Sequence, residues 1–343
     1  MPLLAVPTGN LNRIDLKYRR FMTFTGRNGG EDVFSITGEE NLPVLAGLAI
    51  GGTIGLIILF GLGFTRIGGS EERVTAGRIL RQAAATFGAR AGALVTLWIG
   101  VSLAYTIVTL FAQLVGRTTN IFEGAMAAAL IFLGHKTMLE RPARSVGIEV
   151  PQTGFWRILM RSLALGLTVL ATAAVVFVLA ALLVALAEIA GLVGNTPRIV
   201  VGALSGGIAI WLSPLFARLS FIYPSSVLGG RDWYGTALNR ARPAALGLGA
   251  GLWLVALASL ALIVPLIIWS NTLVLAIATD LPSQPGDLPD DIGTPLFWLS
   301  LVMEELPLRL LLVAYSLASI ACVSAAYRLT VLTPEKPGSH DQV

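Results

Sequence analysis

Apolar runs near twenty residues long recur seven times along this chain, at about 42–65, 91–114, 119–136, 163–190, 199–221, 246–268 and 308–329. Roughly twenty residues of helix cross a hydrocarbon core ~30 Å thick. The expected fold class is therefore all-α, a polytopic transmembrane helical bundle of about seven spans. Charge agrees, since only 13% of residues are charged against roughly 25% in a soluble domain. Mean hydropathy is +0.77. Three stretches follow: a polar N-terminal segment 1–41, a transmembrane domain 42–334 and a polar tail 335–343.

Basic residues sort the connections. Arg66, Arg73, Arg78, Arg81 and Arg90 fall in one; Lys136, Arg141, Arg144, Arg157 and Arg161 in a second; Arg218, Arg231, Arg240 and Arg242 in a third; Arg328 and Lys336 close the chain. The intervening connections hold only Arg117, Arg198 or, at 280–294, acidic residues without a cation. Cation-rich loops stay cytoplasmic, so the C-terminus is expected inside. The first run conflicts with this rule, because spanning puts Arg13, Lys17, Arg19, Arg20 and Arg27 outside. A re-entrant or in-plane segment would avoid the conflict. Its length and its glycines favour a true span with the N-terminus outside.

The formal net charge of +4 reflects these clusters and is no nucleic-acid signal, since no solvated stretch interleaves basic and aromatic residues as single-strand binding wants. Arginine far outnumbers lysine, which fits a GC-rich bacterial genome by association and places the chain in the bacterial inner membrane. A polar start gives no signal-peptide pattern. Cys322 is the one cysteine, which excludes an intrachain disulfide.

Gly47, Gly51 and Gly55 lie four apart, as do Gly202 and Gly206. Such stripes let helices approach closely. Gly247, Gly249 and Gly251 are read the same way, because no strand precedes them as a dinucleotide loop requires. Residues 245–279 and 295–329 are too long for one crossing, and Pro265 and Pro307 are the expected breaks. Trp269 and Trp298 suit an interfacial boundary there.

The later six runs divide into three hairpins of like orientation. Their entries carry Arg78–Arg81, Arg157–Arg161 and Arg240–Arg242; their exits carry Lys136, Arg218 and Arg328, each six residues before Pro142, Pro224 and Pro334. A cation followed by a proline is expected to end each helix. Any pseudo-symmetry axis then runs along the membrane normal, unlike that of an inverted-repeat transporter.

Residues 214–243 resemble the membrane domain of bacterial glycerophosphoryl diester phosphodiesterases and the YciC-like inner-membrane proteins. Arg218, Leu219, Pro224, Gly229, Ala237 and Leu238 carry the likeness, with Ala325–Leu329 as a similar ending. Asn239-Arg240 departs from the family pattern, as does the polar start. In that family hydrolysis resides in a separate soluble domain, so the resemblance implies a membrane module without catalysis.

No catalytic, cofactor or metal motif is found in the residues. The two histidines, His135 and His340, lack a zinc-site pattern, and His135 is expected at the membrane interface. Charges inside spans are functional candidates by default. These are Glu188, near the outer end of its run, and Glu304, Glu305 and Arg309 around Pro307. Glu305 and Arg309 have favourable i,i+4 spacing. The plain reading is an outer interfacial ion pair, and the functional one is a polar lining for an outward cleft.

The leading function is a non-enzymatic inner-membrane protein in envelope or lipid homeostasis, or a scaffold for partner proteins. Its expected partners are membrane lipids, with other membrane proteins or copies of itself, and no cofactor. The alternative is a transporter for a small or amphipathic substrate, with Ser102, Thr106, Thr109 and Ser205 as its polar candidates. A lipid enzyme is the third reading and lacks a recognisable nucleophile.

Overall fold

The computed structural model describes residues 42–65, 73–115, 120–150, 154–189, 195–230, 234–279 and 295–332. The polar segment 1–41, the acidic connection 280–294, Pro334 and the tail 335–343 lie outside the described residues. The described part is helical: α1 (Leu42–Phe64), α2 (Ala76–Ala89), α3 (Ala91–Val115), α4 (Asn120–Ser145), α5 (Phe155–Ile189), α6 (Asn195–Leu219), α7 (Ile222–Val227), α8 (Tyr234–Arg240), α9 (Ala245–Thr279) and α10 (Pro295–Tyr327). A short 3₁₀ turn precedes α9, and a π turn, Arg328–Leu332, closes the described chain.

Six of the helices, α1, α3, α5, α6, α9 and α10, are long and apolar enough to cross a membrane. The run expected at 119–136 lies in α4, which Glu123, Lys136, Glu140, Arg141 and Arg144 make less apolar than the others. Its 26 residues still make ~39 Å of helix. It packs between α3, α5 and α10 and buries Leu130, Met138 and Leu139. Chain neighbours α3–α4, α5–α6 and α9–α10 touch as three hairpins.

Glycine fixes the position of α1. Cβ atoms at Gly47 and Gly51 would come within 2.9 Å of Ala203 N and 2.6 Å of Ala203 Cα. One at Gly206 would meet the Leu48 carbonyl at 2.6 Å, and Gly202 abuts Gly47. The two predicted stripes are thus opposite faces of one contact. Lipid offers no hydrophobic drive between helices, so association depends on such close backbone packing. The pairs rise together in number, from Gly47 with Ala203 to Gly55 with Ile210. Helices α1 and α6 therefore run parallel, and α1 is a full-length member of the bundle rather than a re-entrant one. Gly63 then meets Leu246 and Ala250 at the start of α9, and Gly247 abuts Val74 and Ala76 of the α2 entry.

The basic connections gather at one end. Val74 N–H donates to the Pro243 carbonyl at 3.1 Å, Arg218 Nε to the Leu238 carbonyl at 2.8 Å, and Arg161 to Ser226. Ile148, Arg240, Tyr327 and Thr330 line one cleft there. At that end α2 buries Ala76, Ile79 and Ala83 on one face, with Arg73, Arg78 and Arg81 exposed. Helix α2 is therefore amphipathic.

Prolines do not break the helices as expected. Pro265 sits inside the 35-residue α9 and Pro307 inside the 33-residue α10; Pro142 lies within α4. Proline removes one N–H and crowds the preceding turn, but neighbouring helices make this tolerable in a membrane bundle. The actual stops are glycines. Gly147 and Gly229 have φ of 78° and 80°. Ile148 N–H reaches the Ala143 carbonyl at 2.9 Å, and Gly230 N–H reaches that of Ser225 at 2.8 Å. With the inner bonds Gly147 to Arg144 and Gly229 to Ser226, both ends are Schellman caps. Lys136, Pro142 and Gly147 match Arg218, Pro224 and Gly229 in spacing, so two of the three hairpin exits share one geometry.

Substituting Gly51 by Val should destabilise the protein by about 3 kcal/mol or more, the upper range for overpacking, because backbone faces the new side chain. Gly61→Ala, with open space around it, should change little. Thermal unfolding of both variants in one detergent tests this.

Candidate functional site

Helix α10 is the axis of the site. It packs on α2, α3, α4 and α9, burying Val313, Leu317, Ile320 and Ala321 in the main core. Its contacts with α4 rise in parallel: Arg309 with Glu123, Ile320 with Gly134, Ser324 with His135. Trp98 Nε1 of α3 donates to the Leu310 carbonyl at 2.7 Å. Three helices thereby fix the Arg309 side chain from different sides.

That guanidinium is the centre of a polar cluster. Nε donates to Glu305 Oε2 at 3.2 Å, one helical turn away. Nη2 donates to Thr109 Oγ1 at 3.0 Å and to Glu123 Oε1 at 3.4 Å. Its Cζ lies 5.7 Å from the Tyr105 ring centroid, within cation–π range. The Tyr105 hydroxyl donates to the Glu123 backbone carbonyl at 3.0 Å. The Arg309 and Glu305 side chains are each 18% exposed and that of Glu123 33%, so this is a half-sheltered network rather than a solvated surface pair.

Below the cluster lies an open cleft of about 470 Å³, lined by Tyr105, Glu123, Gly124, Ala127, Leu130, Ile131, Arg309, Leu312, Val313 and Ser316. One end is charged and the remainder almost wholly aliphatic. Phe122, Leu133 and Leu312 are exposed on the flanking helices. A groove of this kind can hold a molecule with a polar head and an apolar body.

The expected Glu305–Arg309 pair is present, and it belongs to a cluster rather than standing alone at an interface. Glu188 and Glu304 lie on α5 and α10 with side chains outside the described residues. Sequence reasoning missed Glu123 and Tyr105. Glu123 carried a usable signal, since it is an ionisable residue inside the predicted span 119–136. Of the transport candidates only Thr109 joins the cluster. Ser102 and Thr106 are buried and donate to the Trp98 and Ser102 carbonyls of their own helix. Ser205 lies on α6, which packs against α1, α5, α8 and α9.

Arg218, Pro224, Gly229 and Ala237 lie at the basic end. Arg218 ties α6 to α8 through Leu238, Pro224 and Ala237 are buried, and Gly229 supplies the cap. Phe221 stacks edge-on against Tyr327 at 5.4 Å.

His135 is buried inside the bundle. It is 1% exposed, as is Ser324; the two share a 2.8 Å hydrogen bond through Nδ1 and Oγ, and the ring stacks on Tyr223 at 6.3 Å. A buried imidazole needs a partner, and this pair ties α4 to α10. A serine nucleophile needs access as well as a base, and Ser324 has none. Among the described residues no group of three His, Cys, Asp or Glu side chains could hold a metal ion.

Compared with known proteins, the chain matches no family model, no curated protein and no solved structure.

Arg309→Met leaves Glu305 and Glu123 facing each other without the cation. It should cost about 3 kcal/mol, the lower end for breaking a sheltered ion pair. Arg309→Lys keeps the charge but loses the fork and should cost about half as much. Adding Glu305→Gln to Arg309→Met should recover part of the loss, so a double-mutant cycle by thermal unfolding should give a coupling of at least 1 kcal/mol.

Proposed function

We propose that this integral membrane protein is a lipid-handling module of the bacterial inner membrane. It takes an amphipathic molecule from the bilayer into the cleft between α3, α4 and α10 and does not convert it chemically. The observation that carries this reading is the division of the cleft into a charged end at Arg309 and Glu123 and an aliphatic wall of Ala127, Leu130, Ile131, Leu312 and Val313.

Depth supports it. Nineteen residues separate Arg309 from Arg328, which is ~28 Å of helix, close to one hydrocarbon thickness. The positive-inside rule assigns the basic end to the cytoplasm, and with it the C-terminus. Parallel packing of α1 on α6 supports a reading in which α1 begins on the outer side. The charged end of the cleft falls near the outer boundary, and its aliphatic wall points towards the midplane, which is how a lipid lies.

The likeness of residues 214–243 to membrane modules that leave hydrolysis to a separate domain supports a role without catalysis. A transporter finds less support, because Ser102 and Thr106 are satisfied within α3 and do not extend the charged end into a polar path.

Mass spectrometry of the protein extracted with its native lipids, beside an unrelated membrane protein of similar size, tests the reading. One lipid class should be retained near stoichiometry by the wild type and largely lost from Ala127→Phe, which fills the wall. A stoichiometric protein partner with no selective lipid would replace this reading with a scaffold.

A further inference from the structure

The basic end carries a second surface with its own chemistry. Helix α2 buries Ala76, Ile79 and Ala83 and turns Arg78, Arg81, Ala84, Ala85 and Gly88 outward. Residues three apart on a helix are neighbours, so Arg78 and Arg81 stand as a pair at the head of one exposed stripe. Two more arginines arrive through tertiary packing. The bond from Val74 N–H to the Pro243 carbonyl brings the Arg73 segment against the Arg242 turn, and both side chains are exposed.

These four cations are not offset locally. Among the described residues none of them has an ion-pair partner. The connection 66–90 sets five arginines against Glu71 and Glu72, so positive charge remains in excess even with both carboxylates paired. Orienting a span needs only cations near its end. It does not need them held on a packed helix, and here they are. Gly247 of α9 abuts Val74 and Ala76, and a Cβ at Gly251 would meet Leu80 at 3.9 Å. Helix α2 therefore climbs beside the first turns of α9, with Leu80 only ~9 Å along that axis from its start. Arg78 and Arg81 sit at headgroup depth, and Ala84, Ala85 and Gly88 continue towards hydrocarbon, with open space around Gly88.

From this placement we infer that the outer face of α2 docks an anionic phospholipid of the cytoplasmic leaflet, its phosphate between Arg78 and Arg81 and an acyl chain along Ala84, Ala85 and Gly88. Guanidinium N–H groups match phosphate oxygens in geometry, and the anionic leaflet attracts cations placed beside a span. Arg73 and Arg242 extend the positive field and disfavour a headgroup that brings its own ammonium. This surface is separate from the Arg309 cleft and does not rest on the lipid-handling reading.

Competition in nanodiscs tests the assignment. The full chain is reconstituted with equal phosphatidylglycerol and phosphatidylcholine of identical acyl chains, and the lipids retained on gentle release are weighed by native mass spectrometry. Wild type should prefer the glycerol lipid about tenfold, equivalent to about 1.4 kcal/mol. Methylating its phosphate removes the charge without touching the protein and should abolish the preference. Arg78→Gln with Arg81→Gln should abolish it too. Arg78→Lys with Arg81→Lys keeps the cations that orient the span but loses the fork, and should retain about threefold. Arg141→Gln with Arg157→Gln removes two exposed cations elsewhere at the same end and should leave the preference whole, as should Ala127→Phe in the cleft.

An equal loss in the Arg141 and Arg157 variant would overturn the site, making the preference a property of diffuse charge. A lysine variant indistinguishable from wild type would overturn the guanidinium grip. No preference in the wild type would remove the site and leave the cleft reading standing. Tail-free glycerophosphoglycerol competing as well as the intact lipid would overturn the assignment to a bilayer ligand.

Discussion

Inside hydrocarbon an unpaired peptide group costs several kcal/mol, so this chain satisfies its backbone within helices before anything else is decided. Lipid then removes the usual hydrophobic reason for helices to meet. Shape must do the work, and here it is concentrated in glycine. The face of Gly47 and Gly51 against Gly202 and Gly206 anchors α1 parallel to α6, and Gly63 and Gly247 seat the basic end against α9 and α2. With those contacts set, α10 packs against α2, α3, α4 and α9, and a charged cluster forms where α10 meets α3 and α4.

That placement explains how charges survive within a membrane bundle. Arg309 finds a carboxylate on its own helix, a carboxylate on α4, a hydroxyl on α3 and an aromatic face beside it. Each partner comes from an element already fixed by packing. The same arrangement leaves a recess between α4 and α10, because Gly124 and Ala127 present little bulk where Leu312 and Val313 pass. Site and groove are therefore two consequences of one crossing.

Much of this was legible in the residues. Run length set the fold class, cation placement predicted which connections share an end, and glycine spacing marked both packing stripes. Which stripe meets which was not legible, since that is a contact between positions some 150 residues apart that no local pattern encodes. Proline misled for a definable reason: Pro265 and Pro307 lack an N–H, but within a packed membrane helix that loss does not end the helix. That His135 faces inward to Ser324 was not legible, because its neighbour Lys136 says nothing of which face is buried. Of the site, the Glu305–Arg309 spacing could be read, whereas Glu123 and Tyr105 join it only through tertiary packing.

The central claim is that the cleft beside Arg309 opens to the bilayer rather than to water. Cys322 is the one cysteine in the sequence and is buried, so a spin label on Ala127→Cys reports that cleft without competition. Collision with oxygen, which concentrates in lipid, against collision with a water-soluble nickel chelate gives the answer directly. Strong oxygen access with little nickel access is the predicted result, matching a label at exposed Leu133→Cys on the lipid face. Nickel access equal to that of a label on exposed Arg141 would contradict it, making the cleft an aqueous vestibule and the lipid account wrong.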